Sequence, residues 1–156
     1  MSQSNKKIKK IAEKEYKKAL KQISKIVGNK TTYSDDLEKA GKKLFRKKFL
    51  GVFSSDLIPN KIPNGYMAIV NLDNSKMSGS HWVSICKQNN NDTIWVYDSF
   101  GRNIYEILPD IYNKKRKIRS TEKDAEQRID ETNCGARSLA FLKVFHEYGI
   151  KYAKFI

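Results

Sequence analysis

Cysteine is scarce: two in 156 residues, too few for a disulfide framework. Histidine is equally scarce, at two. His81, Cys86, Cys134 and His146 show no paired C-x2-C or H-x3-H spacing. His81 and Cys86 also fall on opposite faces of a predicted strand, so no metal site is expected. His146, in the last turn of a predicted helix, reads as a surface residue that complements the helix dipole. No apolar run approaches the roughly 18–20 residues that span a bilayer, so a membrane-embedded chain is excluded. The opening MSQSNKKIKK is charged and lacks an apolar h-region, so no secretory signal and a reducing compartment are expected. Acidic residues are outnumbered, 17 against 31 Lys+Arg, a formal net charge of +14. What is present suffices for a modest core: 39% of residues are hydrophobic and 11% aromatic.

The positive charge is uneven. Residues 1–50 hold 16 Lys/Arg and 5 Asp/Glu, a net of +11, whereas residues 51–156 hold 15 and 12, a net of +3. Such a segment can contact nucleic acid or an acidic partner. Lys also outnumbers Arg 25 to 6, beside 16 Ile and 12 Asn, a bias that A/T-rich codons produce without selection for binding.

Residues 6–27 read as an amphipathic helix. Ile8, Ile11, Ala12, Ala19, Leu20, Ile23, Ile26 and Val27 recur at spacings of three and four, with Gly28 as C-cap. A second helix starts at Ser34 or Asp35 and fades near Lys48. Residues 49–65 hold two of the three prolines and two glycines, which reads as loop. Strands follow at Tyr66–Leu72, His81–Cys86 and Thr93–Tyr97, the last two forming an antiparallel hairpin. A short helix near Ile104–Tyr112, interrupted by Pro109, and a short strand ending the basic run Lys114–Arg119 come next. The last helix runs from about Gly135 to Tyr148 and stops at Gly149. Consecutive strands flanked by helices give an α+β fold with a small, mainly antiparallel sheet packed against helices. One compact domain is expected, with residues 1–30 as a basic N-terminal helix and 31–156 holding the rest.

His81 opens one strand of the hairpin and Asp98 closes the other. If opposite residues sum to about 179, the two are cross-strand neighbours with β-carbons within roughly 5 Å. A carboxylate there orients an imidazole and stabilises its protonated form. Cys134 starts the final helix, where the helix N-terminus favours a thiolate. A thiolate with an imidazole partner is an activated nucleophile. Gly135 leaves room for a substrate backbone. Gln127, in a polar loop seven residues before Cys134, can donate to an oxyanion beside the Cys134 backbone N–H.

Ser80-His81-Trp82, Tyr97-Asp98-Ser99-Phe100-Gly101, and Gln127 followed by Asn133-Cys134-Gly135 resemble the cysteine-protease clan of the adenovirus maturation protease (adenain) and the SUMO-deconjugating proteases. The order His, acid, Gln, Cys is that clan's order. The spacings of 17 and 7 resemble the adenain branch, while an Asp as the acid resembles the SUMO proteases. Gly41–Phe45, Phe53–Pro59 and Asn71-Leu72-Asp73 look most like proteases of virophages and Polinton/Maverick elements. The likeness covers roughly residues 35–148.

The resemblance implies an adenain-like fold in which residues 31–156 form the protease domain. It implies Cys134 as nucleophile, His81 as general base and acid, Asp98 as its orienting partner and Gln127 as oxyanion donor. Trp82, Asn133 and Gly135 would line the substrate cleft, Trp82 standing equally open to a core role. It implies a thiol endopeptidase that cuts capsid or core precursors after glycine (Gly-Gly or Gly-x-Gly) during particle maturation. Such an enzyme would work as a monomer in host cytoplasm or viral factory and be packaged in the virion. No cofactor is required, and DNA or a peptide is the activator class. Cys86 reads as a buried strand residue, so no site for a disulfide-tethered peptide is evident. The basic N-terminal stretch (residues 6–48 as a DNA surface) is a sliding arm, a capsid-docking element or a packed extension. Two other readings are open: a protease of ubiquitin-like conjugates, and a basic DNA-binding protein without enzymatic activity.

Overall fold

The three-and-four spacing of apolar residues at the N-terminus makes a helix, α1 (Gln3–Val27). Ser2 caps it by accepting the Asn5 N–H at 3.1 Å. Gly28 ends it with φ 84°, a left-handed conformation that glycine adopts without strain, and its N–H returns to the Ser24 carbonyl. The structure, a computed structural model, describes residues 1–28, 33–73, 81–89, 92–109, 111, 116–121 and 132–156. Within these, α2 (Ser34–Phe45) leads through a 3-10 turn (Arg46–Lys48) into strand β1 (Phe49–Ser54). Strands β2 (Met67–Asn71), β3 (Trp82–Lys87) and β4 (Ile94–Tyr97) follow, then α3 (Ile104–Ile107), β5 (Ile118–Ser120), α4 (Cys134–Tyr148) and α5 (Ile150–Ala153).

The fold is α+β, but the sheet is mixed rather than mainly antiparallel. Its order is β1-β2-β3-β4-β5. The central pairs β2–β3 and β3–β4 are antiparallel, and the outer pairs β1–β2 and β4–β5 are parallel. The expectation of loop at 49–65 fails for its first six residues, which are β1. The cause is a bulge. The β1–β2 register shifts between Phe49 and Val52, around Gly51 at φ 136°. One extra residue returns Val52 to the sheet face of Phe49 and breaks the alternation that marks a strand. Glu38 of α2 accepts the Val52 N–H at 2.8 Å.

Alternation along the central strands sends side chains into two cores. Met67, Ile69, Cys86, Trp95 and Tyr97 face α1, α2 and α4. Ala68, Val70, Val83, Ile85 and Val96 face the other side, with Ile58, Ile62, Ile104 and Leu108. α4 is the central helix of the first layer, nearly surrounded, with Leu139, Ala140, Phe141 and Leu142 buried. Ser138 Oγ ties it to β3 by donating to the Trp82 carbonyl at 3.2 Å.

α1 shares this core. Ile8, Ala12, Tyr16, Ala19 and Ile23 are buried in the layer that holds α4, while Lys6, Lys10, Lys14, Lys17, Lys21 and Lys25 are exposed. Among the described residues no helix is long and apolar enough to cross a membrane.

Candidate active site

The antiparallel hairpin brings the start of β3 and the end of β4 to one end of the sheet, and α4 begins there too. The register differs by two from the expected one. Ser84 pairs with Tyr97 and Ile85 with Val96, a sum of 181, so His81 stands level with Phe100 and not with Asp98. The two still meet, because the chain turns at Asp98: the Gly101 N–H bonds to the Asp98 carbonyl at 2.9 Å. The turn lies beyond the strand and frees the Asp98 side chain from strand alternation.

His81 Nε2–H donates to Asp98 Oδ1 at 2.7 Å, with both side chains buried. Three more donors converge on that carboxylate. The Phe100 N–H reaches Oδ1 at 3.1 Å, and the Arg102 N–H and Nε–H reach Oδ2 at 3.2 and 2.9 Å. Burial pushes the Asp98 pKa up, but the bonds from His81, Arg102 and Phe100 prevail and hold the carboxyl well below the usual range. Asp98 is therefore a fixed anion at neutral pH.

The second group that acts on the His81 imidazole is the Cys134 thiol. Burial works against a charged imidazole, yet the bonds and charges of Asp98 and Cys134 raise its pKa above the ordinary histidine value. Burial likewise works against a thiolate. The His81 bond and charge, with backbone hydrogen bonds at Trp82 and Gly135, lower the Cys134 pKa below the ordinary thiol value. The two shifts are complementary: proton affinity moves from sulfur to imidazole. The first turn of α4 adds the positive end of its dipole on the same side. A thiolate–imidazolium pair backed by a carboxylate is competent for nucleophilic attack on an acyl carbon.

The remaining expected residues divide. Trp82 and Gly135 contribute backbone groups to the thiol, and the Trp82 ring packs half-buried against the first core. Asn133, the N-cap of α4, has its Oδ1 bonded by Arg137 Nε–H at 3.1 Å. Gln127 lies outside the described residues. Cys86 is buried, and burial pushes its thiol well up, the opposite of Cys134. His146 is exposed, edge-on to Phe45 at 5.4 Å between ring centroids.

Two contributors escaped the sequence reading. Arg102 and Phe100 hold Asp98, and the Phe100 ring lies against His81; the Asp-to-Arg spacing of four across Ser-Phe-Gly is the available signal. Asn71 ends β2 opposite Trp82 on the α4 side of the sheet, and among the described residues its buried Nδ2 meets no hydrogen-bond partner. No protein-family model matches the chain, and no curated protein matches it in sequence.

Proposed function

We propose that the chain is a cysteine endopeptidase with an adenain-like fold, acting on capsid or core precursors. The observation that carries the reading is the line Cys134–His81–Asp98, in which a lowered thiol pKa faces a raised imidazole pKa. The Cys134 thiolate attacks the carbonyl carbon of the scissile peptide, forming a C–S bond and an oxyanion. The backbone N–H of Cys134 and the amide of Gln127 receive that oxyanion. Collapse breaks the C–N bond, and the imidazolium of His81 gives its proton to the departing amine. Water then loses a proton to His81 and attacks the thioester, releasing the acid and restoring the thiolate. Asp98 keeps the imidazole oriented throughout and stabilises its cationic form.

Glycine next to the cut, from a Gly-Gly or Gly-x-Gly site, suits a nucleophile buried at a helix start beside Gly135. The exposed lysines of α1 form a surface for packaged DNA, with affinity that falls as salt rises. The enzyme works as a monomer in the viral factory or host cytoplasm and in the virion.

The test is co-expression with the major capsid precursor, wild type against Cys134→Ala. Processing by the wild type alone is expected; equal processing by both rejects the reading. Ubiquitin- or SUMO-fused reporters in the same assay separate a precursor protease from one acting on conjugates.

A further inference from the structure

Tyr16 lies on the buried face of α1, in the basic segment that the proposed chemistry does not use. Its hydroxyl is 2.8 Å from the hydroxyl of Tyr97 and accepts Arg137 Nη1–H at 3.2 Å. Arg137 also donates from Nε to Asn133 Oδ1 at 3.1 Å. The sequence positions at the ends of this chain of bonds are informative. Tyr97 immediately precedes Asp98, and Asn133 immediately precedes Cys134. The Tyr97 ring is fully buried and stacks on Phe141 of α4, with centroids 4.7 Å apart and planes 7° apart. One hydroxyl on α1 thus joins the end of β4 to the first turn of α4, the two places from which the acid and the thiol project.

We infer that Tyr16 and Arg137 are positioning residues for the Cys134–His81–Asp98 line, acting through Tyr97 and Asn133. This rests on the proposed role of that line. A thiol–imidazole bond between two separate elements depends on their relative placement to within a few tenths of an ångström. The Tyr97–Phe141 stack fixes the distance between β4 and α4. Stacked rings can slide, however, and the polar bridge through Tyr16 fixes that remaining freedom. An apolar side chain at position 16 would fill the space equally well, and the bonds to Tyr97 and Arg137 would be lost. In this arrangement α1 braces the nucleophile's helix with its inner face and presents lysines on its outer face.

The experiment is the pH dependence of iodoacetamide alkylation of Cys134 in the full-length protein, which needs no peptide substrate. Tyr16→Phe keeps the ring and removes the hydroxyl. It is expected to move the alkylation midpoint upward and slow the reaction near neutral pH by about threefold to tenfold, the scale of one net hydrogen bond. Arg137→Lys, at a half-buried position, keeps the charge but cannot bridge both partners, and is expected to shift the midpoint in the same direction. Ile23→Val trims the same core without touching the bridge and is expected to leave the profile in place. If Tyr16→Phe, or Arg137→Lys should the first variant not fold, gives the wild-type profile with only a lower melting temperature, the bridge is structural and the inference is overturned. If the wild-type thiol itself titrates as an ordinary cysteine, the reading of the site fails first, so the two failures are distinguishable.

Discussion

The Phe100 ring lies against the imidazole of His81, with centroids 4.6 Å apart and planes inclined by 30°. The guanidinium carbon of Arg102 is 5.2 Å from the same ring centroid, and its Nε–H bonds to Asp98. A hydrogen bond to Asp98 fixes one nitrogen of the imidazole but leaves the ring free to rotate about that bond. The Phe100 face removes this freedom and directs the other nitrogen at Cys134. An aromatic contact of this kind contributes about 0.5–1.5 kcal/mol beyond its buried area. Phe100→Leu, which keeps apolar bulk, is expected to lower kcat on a glycine-containing peptide by about twofold to tenfold with little change in KM. An unchanged kcat would mean that Asp98 alone fixes the ring.

Asp98 connects the site to stability as well as to chemistry. Its folded-state pKa is depressed, so its contribution is complete above the unfolded carboxyl value of about 4 and is lost as pH falls from there toward the folded value. Asp98→Asn should therefore cost most at neutral pH, and the difference from wild type should shrink below about pH 4, where the carboxyl of the unfolded wild-type chain takes up a proton while that of the folded chain is still ionised. Urea unfolding at a series of pH values reads this. A difference constant from pH 7 to below pH 4 would show that the bonds from His81, Phe100 and Arg102 do not depend on the carboxylate charge. Turnover should fall by about 100-fold or more in the same variant, because the amide cannot stabilise an imidazolium.

The two thiols are opposites. Cys134 is beside His81 at a helix start, with its pKa lowered, and Cys86 is wholly buried in β3 with its pKa raised. Iodoacetamide near neutral pH is expected to label Cys134 alone in the native protein and both in urea, as read by peptide mass mapping. His81→Ala should slow native labelling of Cys134 by about tenfold or more, since the cation that favours the thiolate is gone. Equal labelling of Cys86 and Cys134 in the native state would contradict the burial of β3 and the assigned polarity of the site together.

Much of this arrangement was legible in the sequence, for identifiable reasons. The apolar spacing from Ile8 to Ile23 and the glycine at 28 gave α1 because both signals are local. The alternation at 82–86 put Cys86 and Trp82 on one face, as the core contacts have it. Where two segments must be aligned, local sequence carries less. The hairpin register is two residues from the expected sum, because the link at 88–92 does not itself specify how many residues it spends in the turn. β1 is hidden in the sequence because its bulge at Gly51 breaks the alternation and its partner is a parallel strand beyond a long connection. The bonds of Tyr16 are hidden for the same reason, since nothing near Tyr16 in the chain indicates that Tyr97 and Arg137 meet it, whereas Arg102 lies only four residues from Asp98 and is a local signal. His81, Asp98 and Cys134 stand out because each sits at the end of an element, and those ends of β3, β4 and α4 meet at one end of the sheet.

α1 yields a test that separates its two faces. Ile23 is 1% exposed and lies in the layer that α1 forms with α4. Ile23→Ala is expected to lose about 2–5 kcal/mol of folding stability by denaturant unfolding, the usual range for truncating a fully buried aliphatic side chain. Deleting residues 1–28 removes Ile8, Ala12, Tyr16, Ala19 and Ile23 at once and exposes α4, so the truncated chain is expected to be insoluble or unfolded. It therefore cannot serve to measure what the lysines do. Replacing Lys10, Lys14, Lys17 and Lys21 with Gln leaves the buried face intact. That variant should melt within a few degrees of wild type and hydrolyse peptide at the wild-type rate. Its DNA affinity should be weaker, with a salt slope reduced by up to about one per phosphate contact removed. DNA binding with an unchanged slope would move the nucleic-acid surface off α1, and the helix would then act only through the side it presents to α4.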